Sequence, residues 1–210
     1  MAYVPRVEAP DNFFHVGARG NNKRQIFLDD DDRNRFLLLL AKVAKRYAWS
    51  IYAYCLMGNH YHLVLRLSDA GLSRGMCELN TAYAVGFNAR HQRINHLFGR
   101  RFWSEHINTE AYLLEAIRYV VQNPVRAGFC DSCEDWPWSS YRATIRLEKP
   151  EPFLAVHDVL NFVAPSAADP CGRFRDYCGI IVPKREARST NGVWQPLAPN
   201  RRGSAKTLIT

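Results

Sequence analysis

The chain has 210 residues, with 28 Lys and Arg against 20 Asp and Glu, a net charge of +8, and 47% apolar residues. That is enough to bury a core as one domain with extensions, and no apolar run approaches the roughly 20 residues needed to cross a bilayer. The start, MAYVPRVEAPDNFF, lacks a charged-then-apolar leader pattern, so the sequence implies a cytoplasmic protein with no membrane partner, and its basic balance favours a polyanionic one.

FFHVGA, residues 13–18, reads as a short strand and is followed by the basic, turn-forming RGNNKRQIF. DDDDRNRFLLLLAKVAKRYAW opens with acids and continues with apolar residues on one helical face, which predicts a helix over 31–47. SIYAYCLM, the turn residues Gly58 and Asn59, and HYHLVLRL together make a hairpin. A second helix starts at Leu72, with Leu79, Ala82, Tyr83 and Phe87 at helical intervals. RRFWSEHIN is a further strand, and TEAYLLEAIRYVVQNP a third helix, capped by Thr109 and ended near Pro124. WPWSSYRA reads as a loop or turn and VHDVLNFV, 156–163, as a short helix. The chain divides into a main domain over 1–150, a helical extension over 151–182, and a basic tail over 183–210 whose composition predicts disorder. The order strand, helix, strand, strand, helix, strand, helix suits a ferredoxin-like α+β fold, an antiparallel sheet packed with helices.

Two features bear on binding. The stretch NARHQRINHLFGRR, 88–101, carries Arg90, Arg93, Arg100 and Arg101 with no acid among them, a candidate phosphate-binding surface. Cys130, Cys133, Cys171 and Cys178 could be combined into a zinc site, but the spacing of the second pair is wrong for a zinc ribbon. Without a secretion signal the six cysteines read as reduced thiols.

The strand HYHLVLRL raises a sharper question. Alternation puts His60, His62, Val64 and Arg66 on one face and Tyr61, Leu63, Leu65 and Leu67 on the other. Two imidazoles on one face can reach a single cation, or they can be satisfied core histidines. On the third helix, counted from Leu113, Tyr119 falls at about 240° and Asn123 at about 280°, one turn apart on one flank. Gln122 lies near roughly 180°, less well placed, and stays open because Pro124 distorts the turn.

The N-H-Y-H run at 59–62, RGNNKRQIF, FGRRFW, RYVVQNPVRAG and WPWSSY together resemble the REP-associated tyrosine transposases, single-tyrosine (IS200-like) transposases of the HUH endonuclease superfamily. The resemblance spans about residues 12–145. It implies a ferredoxin-like, Mg²⁺- or Mn²⁺-dependent endonuclease and strand transferase for single-stranded or hairpin DNA, acting as a monomer or homodimer. Carried over by position, His60 and His62 match the metal histidines, Tyr119 the nucleophile and Asn123 the third ligand; the segment with Arg19 and Asn21 matches a part that contacts DNA. Arg19, Arg24, Arg100, Arg101 and Arg126 are the candidate phosphate contacts, and Trp103, Trp138 or Tyr141 could stack on bases. The competing reading is a non-catalytic DNA- or RNA-binding module derived from such a transposase. The intact histidines and tyrosine argue against it.

Overall fold

Four strands form the middle layer of the protein, whose computed structural model describes residues 8–180. They are β1 (Phe13–Arg19), β2 (Trp49–Leu56), β3 (His60–Leu67) and β4 (Trp103–Ile107), in the order β2-β3-β1-β4 with every neighbouring pair antiparallel. The expected ferredoxin-like α+β architecture is present. The basic tail expected over 183–210 lies outside the described residues.

Helix α1 (Asp30–Arg46) begins where the sequence places acids: Asp29 caps it by accepting the Asp32 amide at 3.0 Å, and Asp30, Asp31 and Asp32 face the positive end of the helix dipole. Helix α2 (Leu72–Arg90) lies beside it. Both cover one face of the sheet, where Phe36, Leu40 and Val43 of α1 and Met76, Leu79 and Tyr83 of α2 bury Tyr61, Leu63, Leu65 and Leu67 of β3. Each fully buried aliphatic side chain there contributes about 1.5–3 kcal/mol.

Helix α3 (Glu110–Val121), capped by the Thr109 hydroxyl, covers the opposite face. Its Leu113, Ala116, Ile117 and Val120 pack with Ala53, Cys55 and Val64 of the sheet. A bulge in β2 makes this possible. The register jumps from Ile51 opposite Leu65 to Ala53 opposite Val64, so Tyr52 and Ala53 both enter the α3 core while Ile51 and Tyr54 stay on the α1 side. After Val121 the chain bends into one further turn, α4 (Asn123–Arg126), because Pro124 has no amide to continue the ladder.

The remaining helices are α5 (Tyr141–Thr144), α6 (Val156–Val163) and α7 (Pro170–Gly179). Tyr141, Val159, Leu160 and Phe174 complete the α3-side core. WPWSSYRA is therefore loop only as far as Ser140, and its last residues start α5. The same packing removes Tyr141 as a base-stacking residue: it is buried and its ring sits 5.7 Å from that of Phe174.

Candidate active site

The site opens at the end of the sheet where β3 begins. His60 and His62 face α3, as strand alternation requires, while Tyr61 between them is fully buried on the other side and donates to Asn80 at 2.6 Å. Gly17 of β1 stands directly opposite His62. A Cβ there would come within 2.5 Å of the Tyr61 carbonyl oxygen and 2.7 Å of Trp103, so only glycine lets the indole close over this part of the site.

Asn123 joins the histidines to the third helix. Its Oδ1 lies 3.4 Å from His60 Nε2 and its Nδ2 lies 3.4 Å from His62 Nε2. The Tyr119 ring is 5.7 Å from that of His62, and its hydroxyl is hydrogen-bonded with Asn123. The structure thus brings His60, His62, Tyr119 and Asn123 together. Gln122 points elsewhere: it is fully buried, donates to the Cys178 and Ile180 carbonyls at the end of α7, and accepts from Arg126 Nε at 3.2 Å. The bend at Pro124 does not swing it into the site.

Burial dominates the electrostatics. It lowers His60 to about 4, with nearby Arg19 adding to the effect and the Asn123 contact opposing it. His62 is held well below the ordinary histidine value by burial and then by His15, His60 and Arg19. Both rings are therefore neutral, the state that can donate an electron pair to a cation. Burial also raises the Tyr119 phenol; Arg126, Asn123 and Arg19 pull it back, and Glu105 adds to the rise. The Arg126 guanidinium lies over the Tyr119 ring, 5.3 Å from its centre.

The donor set can hold a divalent cation, and its two imidazoles do not by themselves select Mg²⁺ or Mn²⁺ over zinc. Asn59 Nδ2 donates to the Lys23 carbonyl at 3.1 Å, which turns Asn59 Oδ1 onto His60 Nδ1 at 2.6 Å. His60 therefore carries its proton on Nδ1, and its bare Nε2 faces the Asn123 carbonyl oxygen, two electron pairs converging with no proton between them. Two imidazoles and an amide oxygen also leave coordination positions for phosphate and water. Elsewhere, Asp29, Asp32 and His91 bring ligand atoms within 4.8 Å of one another, a group able to hold a metal ion. At present Arg90 donates to Asp29 and Asp32, both at 2.7 Å. Among the described residues no cysteine joins such a group, and all six cysteines are free thiols.

The candidate DNA contacts fall in two places. Arg19 is exposed directly across from His60, and Arg126 lies at Tyr119. Asn21, Arg100 and Arg101 line one groove of about 820 Å³ between α2 and the 95–102 loop. Arg24 is exposed just after the tight turn Asn21–Lys23. Arg90 corrects the sequence reading of all of 88–101 as a phosphate-binding surface: in space it meets Asp29, Asp31 and Asp32 at the start of α1 and is not available to a phosphate. Trp103 stands edge-on to His15 at 4.7 Å and to His62 at 5.5 Å, and Trp138 lies under the Arg33 guanidinium at 5.4 Å.

Sequence reasoning missed His15. It lies in FFHVGA, where alternation already sets it on the opposite face from Phe14 and Val16. It is buried, 3.2 Å from His62 Nδ1, with its pKa lowered by burial to about 3. Glu105 was also missed; it pairs with His15 across β1 and β4 and accepts the Tyr112 hydroxyl at 2.6 Å.

Residues 11–123 match the family described as IS200-like transposase. A protein named as a REP-associated tyrosine transposase in Haemophilus influenzae is 25% identical over 126 residues, covering 55% of this chain and 72% of that protein. The solved structure of a REP-associated tyrosine transposase bound to a REP hairpin has a TM-score of 0.59 at 21% identity, over 70% of this chain and 86% of that one. That likeness is one of fold.

Proposed function

Since its match covers more than half of its residues, this chain belongs to the IS200-like transposase family, and on that premise we propose that it cleaves and rejoins single-stranded, hairpin-bearing DNA through a covalent bond to Tyr119. The observation that carries the reading is the convergence of Tyr119, His60, His62 and Asn123 in one partly exposed site, with Asn123 in contact with all three partners. The REP hairpin bound by the solved relative supports a hairpin substrate.

In the first step the Tyr119 oxygen attacks phosphorus, its proton passes to solvent, and the bond from phosphorus to the 3′-oxygen breaks. The leaving oxygen takes up a proton, giving a free 3′-OH, and the other strand end stays on Tyr119 as a 5′-phosphotyrosine. The bond energy is conserved, so a 3′-OH can later attack this linkage, rejoin DNA and regenerate the phenol without ATP. Burial alone makes Tyr119 a reluctant nucleophile, and the adjacent Arg126 and Arg19 favour its anion. A Mg²⁺ or Mn²⁺ ion held by His60, His62 and Asn123 would polarise a phosphate oxygen and offset the charge growing on it. Arg19, opposite His60, and Arg126, over the Tyr119 ring, would hold the phosphate beside Tyr119, while Asn21, Arg100 and Arg101 would engage the strand further along the surface. The reaction belongs to residues 1–150, in the cytoplasm, in a monomer or homodimer.

The test is a denaturing gel after incubation with a hairpin-bearing single-stranded oligonucleotide and Mg²⁺ or Mn²⁺. The wild type should give a protein-DNA adduct that chelator removes. Tyr119→Phe should give none. A wild type that binds the oligonucleotide but never forms the adduct would leave a non-catalytic binding module as the better reading.

A further inference from the structure

The two site histidines hold their Nδ1 atoms differently. His60 donates to Asn59, its chain neighbour, at 2.6 Å, whereas His62 Nδ1 meets His15 Nε2 of another strand at 3.2 Å. We infer that His15 is a positioning residue: its Nε2 accepts the His62 Nδ1 proton and so fixes the tautomer in which the His62 Nε2 electron pair faces the site.

The placement follows from the sheet. Gly17 is opposite His62 and His15 is opposite Val64, so His15 and His62 are diagonal neighbours on one face. His15 is 1% exposed and its ring is bounded by Trp103 at 4.7 Å and Tyr119 at 5.8 Å. These contacts hold it against His62. A neutral imidazole has one donor and one acceptor nitrogen, so the shared bond has two arrangements. If His62 accepted, its Nε2 would carry a proton and face the Asn123 amide nitrogen 3.4 Å away, donor against donor. If His62 donates, Nε2 is bare and that amide group can donate to it. Asn123 is oriented for the second arrangement, with its oxygen towards the bare Nε2 of His60. His15 thereby does for His62 what Asn59 does for His60, and a metal-binding histidine usually donates its second ring nitrogen to such a partner. The use of the freed electron pair for a cation rests on the proposed function; the tautomer does not.

The experiment has two readouts independent of DNA. Long-range proton-nitrogen NMR spectra of the metal-free, nitrogen-labelled protein read which ring nitrogen of His62 carries the proton, and electron paramagnetic resonance follows Mn²⁺ binding. The wild type should show His62 protonated on Nδ1. His15→Gln, whose amide oxygen can accept the same proton, should keep that tautomer and near-wild-type Mn²⁺ affinity. His15→Phe, similar in shape but with no acceptor, should lose the tautomer preference and roughly 10–100-fold in affinity. A wild-type His62 protonated on Nε2 would overturn the inference, even if His15→Phe fails to fold. So would a folded His15→Phe with tautomer and affinity unchanged. Absence of a DNA adduct with the tautomer as expected counts against the transposase reading alone.

Discussion

Alternate residues of β3 build two unlike faces. Towards α1 and α2, Tyr61, Leu63, Leu65 and Leu67 are all fully buried among apolar side chains. Towards α3, only Val64 is a comparable core residue; His60 and His62 bring polar atoms into a partly open end, and Arg66 stands at the other end of the strand. The sealed face carries much of the folding free energy. That surplus lets the other face keep three neutral histidines and a phenol close together, an arrangement that costs stability and serves chemistry.

The largest effect should come from the open face. His62→Ala is expected to reduce oligonucleotide cleavage roughly 10²–10³-fold, the scale for losing one electrostatic contributor to a transition state. Its urea midpoint should move little, because a desolvated polar ring goes with the contacts it made. Single-turnover cleavage and urea unfolding on the same preparation would show the split; a variant that unfolds but keeps its cleavage rate would erase the distinction between the faces.

On the sealed face, Tyr61→Ala should cost about 3–5 kcal/mol by the measure of other buried aromatic truncations. It also loses the hydrogen bond to Asn80. A loss below about 1 kcal/mol in urea unfolding would mean that this face is less well packed than its burial indicates.

The pH dependence of stability sharpens the same contrast. His15 is lowered to about 3, His60 to about 4, and His62 well below its ordinary value, all chiefly by burial. Unfolded histidine titrates near 6.5, so as pH falls below that value the unfolded chain binds protons that the folded chain does not. Stability from these groups is fully present above pH 6.5 and falls as pH drops towards 4, by up to about 1.4 kcal/mol per pH unit for each histidine. His15→Phe should remove one such increment. A urea midpoint that stays flat across this range would contradict the neutral cluster.

The smallest effects separate two kinds of arginine. Arg100→Ala and Arg101→Ala should each lower DNA affinity and reduce the slope of its salt dependence by about one. Arg90→Ala should leave that slope unchanged, because its charge is spent on Asp29, Asp31 and Asp32. Equal slopes for all three variants would mean that sequence clustering, not spatial pairing, decides which arginines meet phosphate.

Particular residues show how far the sequence could be read. Alternation along HYHLVLRL placed His60 and His62 on one strand face, and the helical count placed Tyr119 and Asn123 on one flank; the fold sets the two against each other. Both are local periodicities, and a few residues suffice to set them. What escaped depends on pairing between distant segments. His15 meets His62 through the β1/β3 register, 47 residues apart, and Arg90 meets Asp32 across 58 residues. The β2 bulge at Tyr52 and Ala53 and the burial of Tyr141 under Phe174 likewise follow from tertiary packing, which overrides the period-2 and loop signals of those stretches.

The central claim is that Tyr119 becomes joined to DNA. Its most direct test is proteolytic digestion of the protein-DNA adduct followed by tandem mass spectrometry of the nucleotide-bearing peptide. The account predicts one modified position, Tyr119, linked to the nucleotide through a 5′-phosphate, and no modified peptide from Tyr119→Phe. A nucleotide on another residue such as Tyr112, or cleavage of the oligonucleotide with no peptide carrying DNA, would contradict it.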